Sequence, residues 1–390
     1  MTKFTFKYAF LSTIIACILT TTGNAESKPK EENSMNQIVL QLDPSEKNPR
    51  NSEGAFVTLN DGRILFAYSR FYGGSGDNSR AEIAARYSTD RGITWSERDV
   101  TLVKNTAEEN VMSASLLRLQ DGRIALFYVK KNGLHDCRLR MQTSADDAQS
   151  WTEPVLAVPA PGYFVVNNDR VLQLQNGRLI APAAFHRQKG EDQHDMKNFD
   201  ARAIAIYFIS DDCGATWHES KTWWTMPVLS KSGLQEPGII ELANGRLFSW
   251  ARTDQGCQYG MWSDDHGETW TPPQPTQFRS PVSPLSMKRI PQNGNLLSIW
   301  NDHSGRFILH PEKPHTGKRT PLVSAISSDD GATWTHFKQI EADPDHGYCY
   351  TAIHFVDEFV LLAYCAGGAE SNGLLNRLRI RRLHINWFYE

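Results

Sequence analysis

The chain has 390 residues, 40% of them apolar, with 11 tryptophans and a formal net charge of −3. That composition supplies a large core, and the near-balanced charge with no dense Lys/Arg stripe argues against a nucleic-acid surface. Six cysteines without a Cys-x-x-Cys pair make neither a disulfide framework nor a zinc site, and no metal or cofactor motif is present.

At the amino terminus Lys3 and Lys7 precede an apolar run from Ala9 to Leu19, and Gly23-Asn24-Ala25 supplies small residues. The pattern reads as a secretory signal over 1–25, cleaved after Ala25 and too short for a stable membrane span. Ile14-Ile15-Ala16-Cys17 offers a rival, a lipoprotein box with Cys17 acylated. The apolar run continues past Cys17, which favours simple cleavage and a secreted or periplasmic protein. Residues 26–37 read as a flexible polar lead and 38–390 as one domain.

From Leu59 onward two phrases alternate. Leu59-Asn-Asp-Gly62-Arg63 returns at Leu119–Arg123, Leu174–Arg178 and Leu242–Arg246, with a fifth form at Gly294 and a sixth, lacking its glycine, at Phe355–Phe359. These are tight hairpin turns. The second phrase, Ser-x-Asp-x-Gly-x-Thr-Trp, stands at Ser88–Trp95, Ser210–Trp217, Ser263–Trp270 and Ser327–Trp334. Ser144–Trp151 is a worn copy, with Ala148 and Ser150 for the glycine and threonine. The tryptophans are 56, 66, 53 and 64 residues apart (151−95, 217−151, 270−217, 334−270). Such a period is one small antiparallel sheet that must stack on its neighbours. Within the phrase, Ser and Asp accept hydrogen bonds from turn amides and Gly permits φ > 0, so these aspartates are expected to hold scaffold. The five tryptophans should be largely buried between sheets, away from any functional face.

Six first hairpins and five boxed turns predict an all-β, six-bladed β-propeller of four-stranded antiparallel blades, the last closed by both chain ends. The insertions Phe185–Asp200 and His303–Lys318 are polar and read as long loops at the rim of a binding face. Nine residues before each turn glycine come Glu53, Ser113, Asn168, Glu236 and Leu285; counted from Glu358, the sixth position is Cys349, between Tyr348 and Tyr350. Polar residues opening apolar strands suggest a ring around the mouth of a central channel. Eight before each box serine come Arg80, Asp136, Arg202, Gln255 and Arg319, with Arg252 just ahead of Gln255. Such arginines can clamp an anion or simply lie over apolar surface.

Together these residues resemble the sialidase (neuraminidase) superfamily, whose Asp box matches the repeated phrase. Gln235-Glu236-Pro237 followed by Arg252 is similar to that family's glutamate strand and a carboxylate-clamp arginine. Tyr350-Thr-Ala-Ile resembles the strand of the tyrosine nucleophile, Gly73-Gly-Ser-Gly-Asp77 the loop of the acid/base, and Arg319 suits the last clamp arginine. The resemblance implies a retaining exo-glycosidase acting on a glycan with a terminal acidic sugar, a sialic acid or a relative, without a cofactor. Tyr350 would be the nucleophile, Glu236 its base and Asp77 the acid/base, with Tyr348 open as an alternative nucleophile. A paired arginine fork suits a carboxylate on the anomeric carbon, and a neutral tyrosine approaches that anionic centre with less repulsion than a carboxylate.

One stretch departs from the pattern. Where the family opens its first blade with Arg-Ile-Pro, this chain reads Arg50-Asn51-Ser52-Glu53, so Arg50 is displaced and Glu53 takes the indexed position. Asn168-Asp169-Arg170 is likewise an unusual polar opening for the third blade. Arg50, Glu53, Asn168, Asp169, Arg170, Arg252 and Arg319 are the substrate-binding candidates. A hydrolase of the same fold for another glycan stays open. So does a non-catalytic glycan-binding propeller, favoured if Asp77, Glu236 and Tyr350 fail to converge.

Overall fold

The computed structural model describes residues 35–307 and 319–390, together with 1–3 and 5. The signal sequence and Cys17 box, and most of the insertion that begins at His303, lie outside the described residues. Each hairpin phrase joins the first two strands of a blade, and each Asp box joins the last two. Blade 1 comprises Arg50–Thr58, Ile64–Phe71, Ala81–Ser88 and Val100–Val103, hydrogen-bonded in that order. Blade 2 runs from Asn110 to Leu156 and blade 3 from Gly162 to Glu219; parallel pairing of Gly162 with Asp136 and Tyr163 with Cys137 merges them into one sheet. Blades 4 (Gln235–Glu241 to Gln274–Arg279) and 5 (Ser286–Arg289 to Thr335–Glu341) repeat the four-stranded order. In blade 6 the outermost strand, Asn36–Leu42, comes from the start of the domain and pairs antiparallel with Leu378–His384. Both chain ends therefore close the ring, as the repeat count predicts.

The core lies between blades. Ala55, Val57 and Leu65 of blade 1 meet Val111, Leu116 and Tyr128 of blade 2, and Ile290 and Leu297 of blade 5 meet Ile353 and Leu362 of blade 6. Each fully buried aliphatic side chain contributes about 1.5–3 kcal/mol of transfer free energy.

The Asp boxes do what their residue types suggest. In the first, the Gly92 amide donates to Ser88 Oγ (2.9 Å), while the Thr94 amide and hydroxyl donate to Asp90 (2.8 and 2.6 Å). Arg91 and Gly92 are both left-handed (φ 57° and 82°), and a Cβ on Gly92 would stand 2.7 Å from Leu361 of blade 6. Glycine is needed there for conformation and for close approach. The worn box keeps the bonds but forces Ala148 to φ 68°. The tryptophans differ from expectation: Trp270 and Trp334 are buried, while Trp95, Trp151 and Trp217 are half-buried. Tyr207 stacks on Trp270 at 3.9 Å and Phe278 meets Trp334 at 5.1 Å, whereas among the described residues the nearest rings to Trp95 and Trp217 stand at 6.0 and 6.1 Å.

What builds the site is a break in the innermost strands. Register slips between Ser52 and Ala55, Met112 and Ser115, Gln235 and Gly238, and Cys349 and Ala352. At each slip one residue is left-handed: Glu53 (φ 54°), Ser113 (61°), Glu236 (47°) and Tyr350 (59°). A bulge of this kind re-aims one side chain out of the pleat. Two blades correct the sequence count. The blade 6 hairpin pairs Val356 directly with Phe359, a tighter turn than the Thr58–Ile64 connection, so counting from Glu358 falls on Cys349 and the bulge on Tyr350. In blade 3 the left-handed residue is Asp169 (φ 55°), one beyond Asn168.

Candidate active site

The bulge residues of blades 1, 2, 4 and 6 converge on a cleft of about 220 Å³, also lined by Asp77, Lys131, Asn167, His186 and Arg252. Tyr350 and Glu236 meet across it: the Tyr350 hydroxyl donates to Glu236 Oε1 at 3.2 Å. Arg252 braces both, its Nη1 lying 3.2 Å from the same hydroxyl and 3.0 Å from Glu236 Oε2. Arg252 is the register partner of Gln235, whose side-chain carbonyl accepts from its Nε at 3.0 Å, so the sheet itself aims the guanidinium. Arg319 lies over the Tyr350 ring at 5.1 Å and donates from Nη1 to Cys349 Sγ at 3.0 Å.

Burial, then the adjacent Glu236 carboxylate, push the Tyr350 hydroxyl above its ordinary pKa, against the pull of Arg252 and Arg319. The phenol is thus held protonated, beside a carboxylate that could take its proton and two cations that could stabilise a phenolate. Tyr348, two residues away, is packed in the core between blades 5 and 6 and does not line the cleft. The bulge separates two tyrosines that strand periodicity leaves on one face.

The opposite wall is built on Arg50. Its guanidinium, 1% exposed, donates to Asp77 Oδ1 (2.6 Å), Glu53 Oε1 (3.0 Å), Ser52 Oγ (3.0 Å) and the Ser75 carbonyl (3.3 Å), and it lies over the Phe71 ring. Ser113 in turn donates to the second oxygen of Glu53 at 2.5 Å. Burial pushes the Glu53 carboxyl up despite Arg50 and Ser113. Burial also acts to raise Asp77, but Arg50 and then Lys131 outweigh it and hold that carboxyl below the usual range. The Asp77 side chain remains 67% exposed on its glycine loop, so it can leave Arg50 without disturbing the core.

Several predicted residues lie elsewhere. Asn168 plugs the channel, donating to the carbonyls of Gly54 (2.7 Å) and Tyr350 (3.1 Å). Asp169 pairs with Lys288 at 2.8 Å and accepts from the Ile353 amide at 3.0 Å, and neither it nor Arg170 lines the cleft. These are corrections with one cause: blade 3's inner strand is broken between Val165 and Leu172, so its polar residues turn down the channel. Lys131 escapes sequence reasoning. It is buried and donates to the Asp77 carbonyl (2.9 Å) and Asn78 Oδ1 (3.3 Å), fixing the base of the glycine loop that carries Asp77. The signal was available, since Lys130-Lys131 ends an apolar strand whose alternation sends one lysine inward. The first insertion reaches the cleft, but as a shorter loop than predicted: His186 and Phe199 line it from the strands Leu179–Gln188 and Phe199–Ser210, and Met196 from the segment between them. Burial lowers the His186 pKa to about 4, so its imidazole is neutral at ordinary pH. Among the described residues no cluster of His, Cys, Asp and Glu could hold a metal, and no helix is long and apolar enough to cross a membrane.

A family model described as a BNR repeat-like domain matches residues 71–360. The chain belongs to the sialidase superfamily. Among its relatives is a sialidase from Bacteroides fragilis, 22% identical over 335 residues, covering 77% of this chain and 57% of that protein. The chain thus spans little more than half the length of that relative. Two solved structures share the fold: a Trypanosoma rangeli sialidase (TM-score 0.68, 18% identity, 91% of this chain and 59% of that one) and a Dyadobacter fermentans protein of unknown function (0.66, 16%, 90% and 99%). At these identities they show the architecture of this superfamily member and nothing finer.

Proposed function

We propose that this sialidase-superfamily chain is a retaining exo-glycosidase for a terminal acidic sugar, a sialic acid or a close relative, exported by its amino-terminal leader. The observation that carries the reading is the Tyr350–Glu236–Arg252 triangle, with every side within 3.0–3.2 Å and Asp77 facing it in one cleft. In the first step the Tyr350 oxygen attacks the anomeric carbon while its proton passes to Glu236, and the glycosidic bond breaks as Asp77 protonates the departing oxygen. In the second, Asp77 takes a proton from water, which displaces Tyr350, and Glu236 returns the phenolic proton. Asp77 must leave Arg50 to act as an acid, because that contact keeps it ionised. A substrate carboxylate entering near Arg50 would supply the exchange.

The test is covalent trapping. A 3-fluoro sialosyl fluoride, which slows breakdown of the glycosyl-enzyme, should leave its adduct on the Tyr350 peptide in mass spectrometry. An adduct on Glu53 would replace the tyrosine mechanism with a carboxylate one, and full turnover by Tyr350→Phe would remove the site's proposed chemistry. A second reading, a different glycan on the same fold, is favoured by one feature: the Arg50 fork is already filled by Glu53 and Asp77, leaving two arginines rather than three beside Tyr350. Preference for neutral over sialyl fluorogenic glycosides would select it.

A further inference from the structure

The inner strands run from the cleft to the hairpin turns, and at that far end of the channel lies a second cavity of about 310 Å³. Its walls are mainly apolar, formed by Val171, Ile239, Ile240, Met287 and Phe355 among others. Three cations line it. Lys288 is neutralised by Asp169 at 2.8 Å, and Arg289 by Asp330 at 2.6 Å. Arg170 differs from both. It is 5% exposed and its Nε has no partner. Among the described residues no hydrogen bond or ion pair engages its guanidinium, which sits 5.7 Å from the Trp250 ring on the same cavity wall.

A buried guanidinium with five donors and no acceptor is costly, and proteins keep such groups where something fills the fork. Burial depresses its pKa to about 10, still leaving it charged at neutral pH. The carboxylates around it are engaged elsewhere: Asp169 with Lys288 and the Ile353 amide, Glu236 with Arg252 and Tyr350, and Glu241, which also lines the cavity, with the Gln175 amide at 2.8 Å. A buried fork with no acceptor calls for an anion that can reach all of it, and a planar fork favours a carboxylate. The apolar walls call for a hydrocarbon body behind that head group, and the volume is at the lower end for a small-molecule pocket.

We propose that this far-end cavity is a binding site for a small organic monocarboxylate with an apolar body, its carboxylate held by Arg170. The cavity shares no lining residue with the cleft, and its test needs no turnover. Calorimetric titration and Trp250-dependent fluorescence would be followed with sodium hexanoate and, as an uncharged match, hexanamide. Hexanoate should bind one per chain and at least about tenfold more tightly than hexanamide, the worth of a charge-assisted pair. Arg170→Met should remove that preference. Should that variant not fold, Arg170→Lys, which keeps charge without the fork, should weaken hexanoate while leaving hexanamide unchanged. Equal binding of acid and amide, no binding at tens of millimolar, or a crystal soaked in hexanoate showing only water on the guanidinium would each overturn the proposal.

Discussion

Replacing Arg252 by lysine separates two roles that a clamp arginine can have. In this structure Arg252 already bonds to both Tyr350 and Glu236, with its Nε anchored on Gln235. Lysine keeps the charge but has one ammonium, which cannot hold the hydroxyl and the carboxylate while also reaching Gln235. A hydrogen bond to a charged group is worth about 1.5–3 kcal/mol. At about 1.4 kcal/mol per tenfold, losing one such bond lowers kcat/KM by about 10- to 150-fold. Because these bonds position the proposed nucleophile and its base, kcat should fall as well as KM rise. An arginine that only gripped substrate would move KM alone. The assay is initial-rate kinetics on a fluorogenic sialoside, with thermal melting as the control for folding. An unchanged kcat in a variant that melts like the parent would refute the positioning role.

Other outcomes follow from the same geometry. Trp270→Ala removes a buried ring stacked on Tyr207 and should cost about 3–5 kcal/mol, so an unchanged melting midpoint would count against its role as an inter-blade anchor. Ala148→Gly relieves a left-handed alanine in the worn box and should stabilise by about 0.5–1 kcal/mol in chemical denaturation, whereas a loss would show that Ala148 is unstrained. Asp254 is held at about 2, because bonds from Ser230, Gln255 and the Lys231 amide outweigh its slight burial. A depressed carboxylate contributes stability that is complete above its ordinary 3.8 and is lost as pH falls through about 2. Asp254→Asn should therefore flatten the stability profile between those values, and an identical acid limb would show that these bonds persist in the unfolded chain.

The scaffold was legible because its instructions are local. Ser88, Asp90, Gly92 and Thr94 satisfy one another within one turn, so the phrase carries its structure wherever it recurs, and its spacing supplies the blade count. The site is legible only where a residue type is chemically committed, as with Glu236 beside a proline and Asp77 on a glycine loop. Arg50 illustrates the limit. Its type suggests a substrate clamp, yet the structure surrounds it with Glu53, Asp77 and Ser52, partners whose meeting depends on a bulge and a loop. Arg170 has the converse history. It reads as one more polar residue beside Asn168, and only the broken strand of blade 3 sends it down the channel to a different cavity.

The decisive feature is backbone strain that no periodic pattern encodes. Glu53, Ser113, Glu236 and Tyr350 all carry a Cβ, and left-handed conformation costs such residues about 1–3 kcal/mol each. Glycine at any of the four would relieve the backbone and delete a group that meets its partner in the cleft. The strain therefore persists where a side chain is needed. Blade 5 has Leu285 at the indexed position, no left-handed residue there, and no residue in the cleft. The correspondence explains why a period-two reading cannot choose between Tyr348 and Tyr350, while the bulge chooses at once: the residue that absorbs the strain is the one whose hydroxyl reaches Glu236.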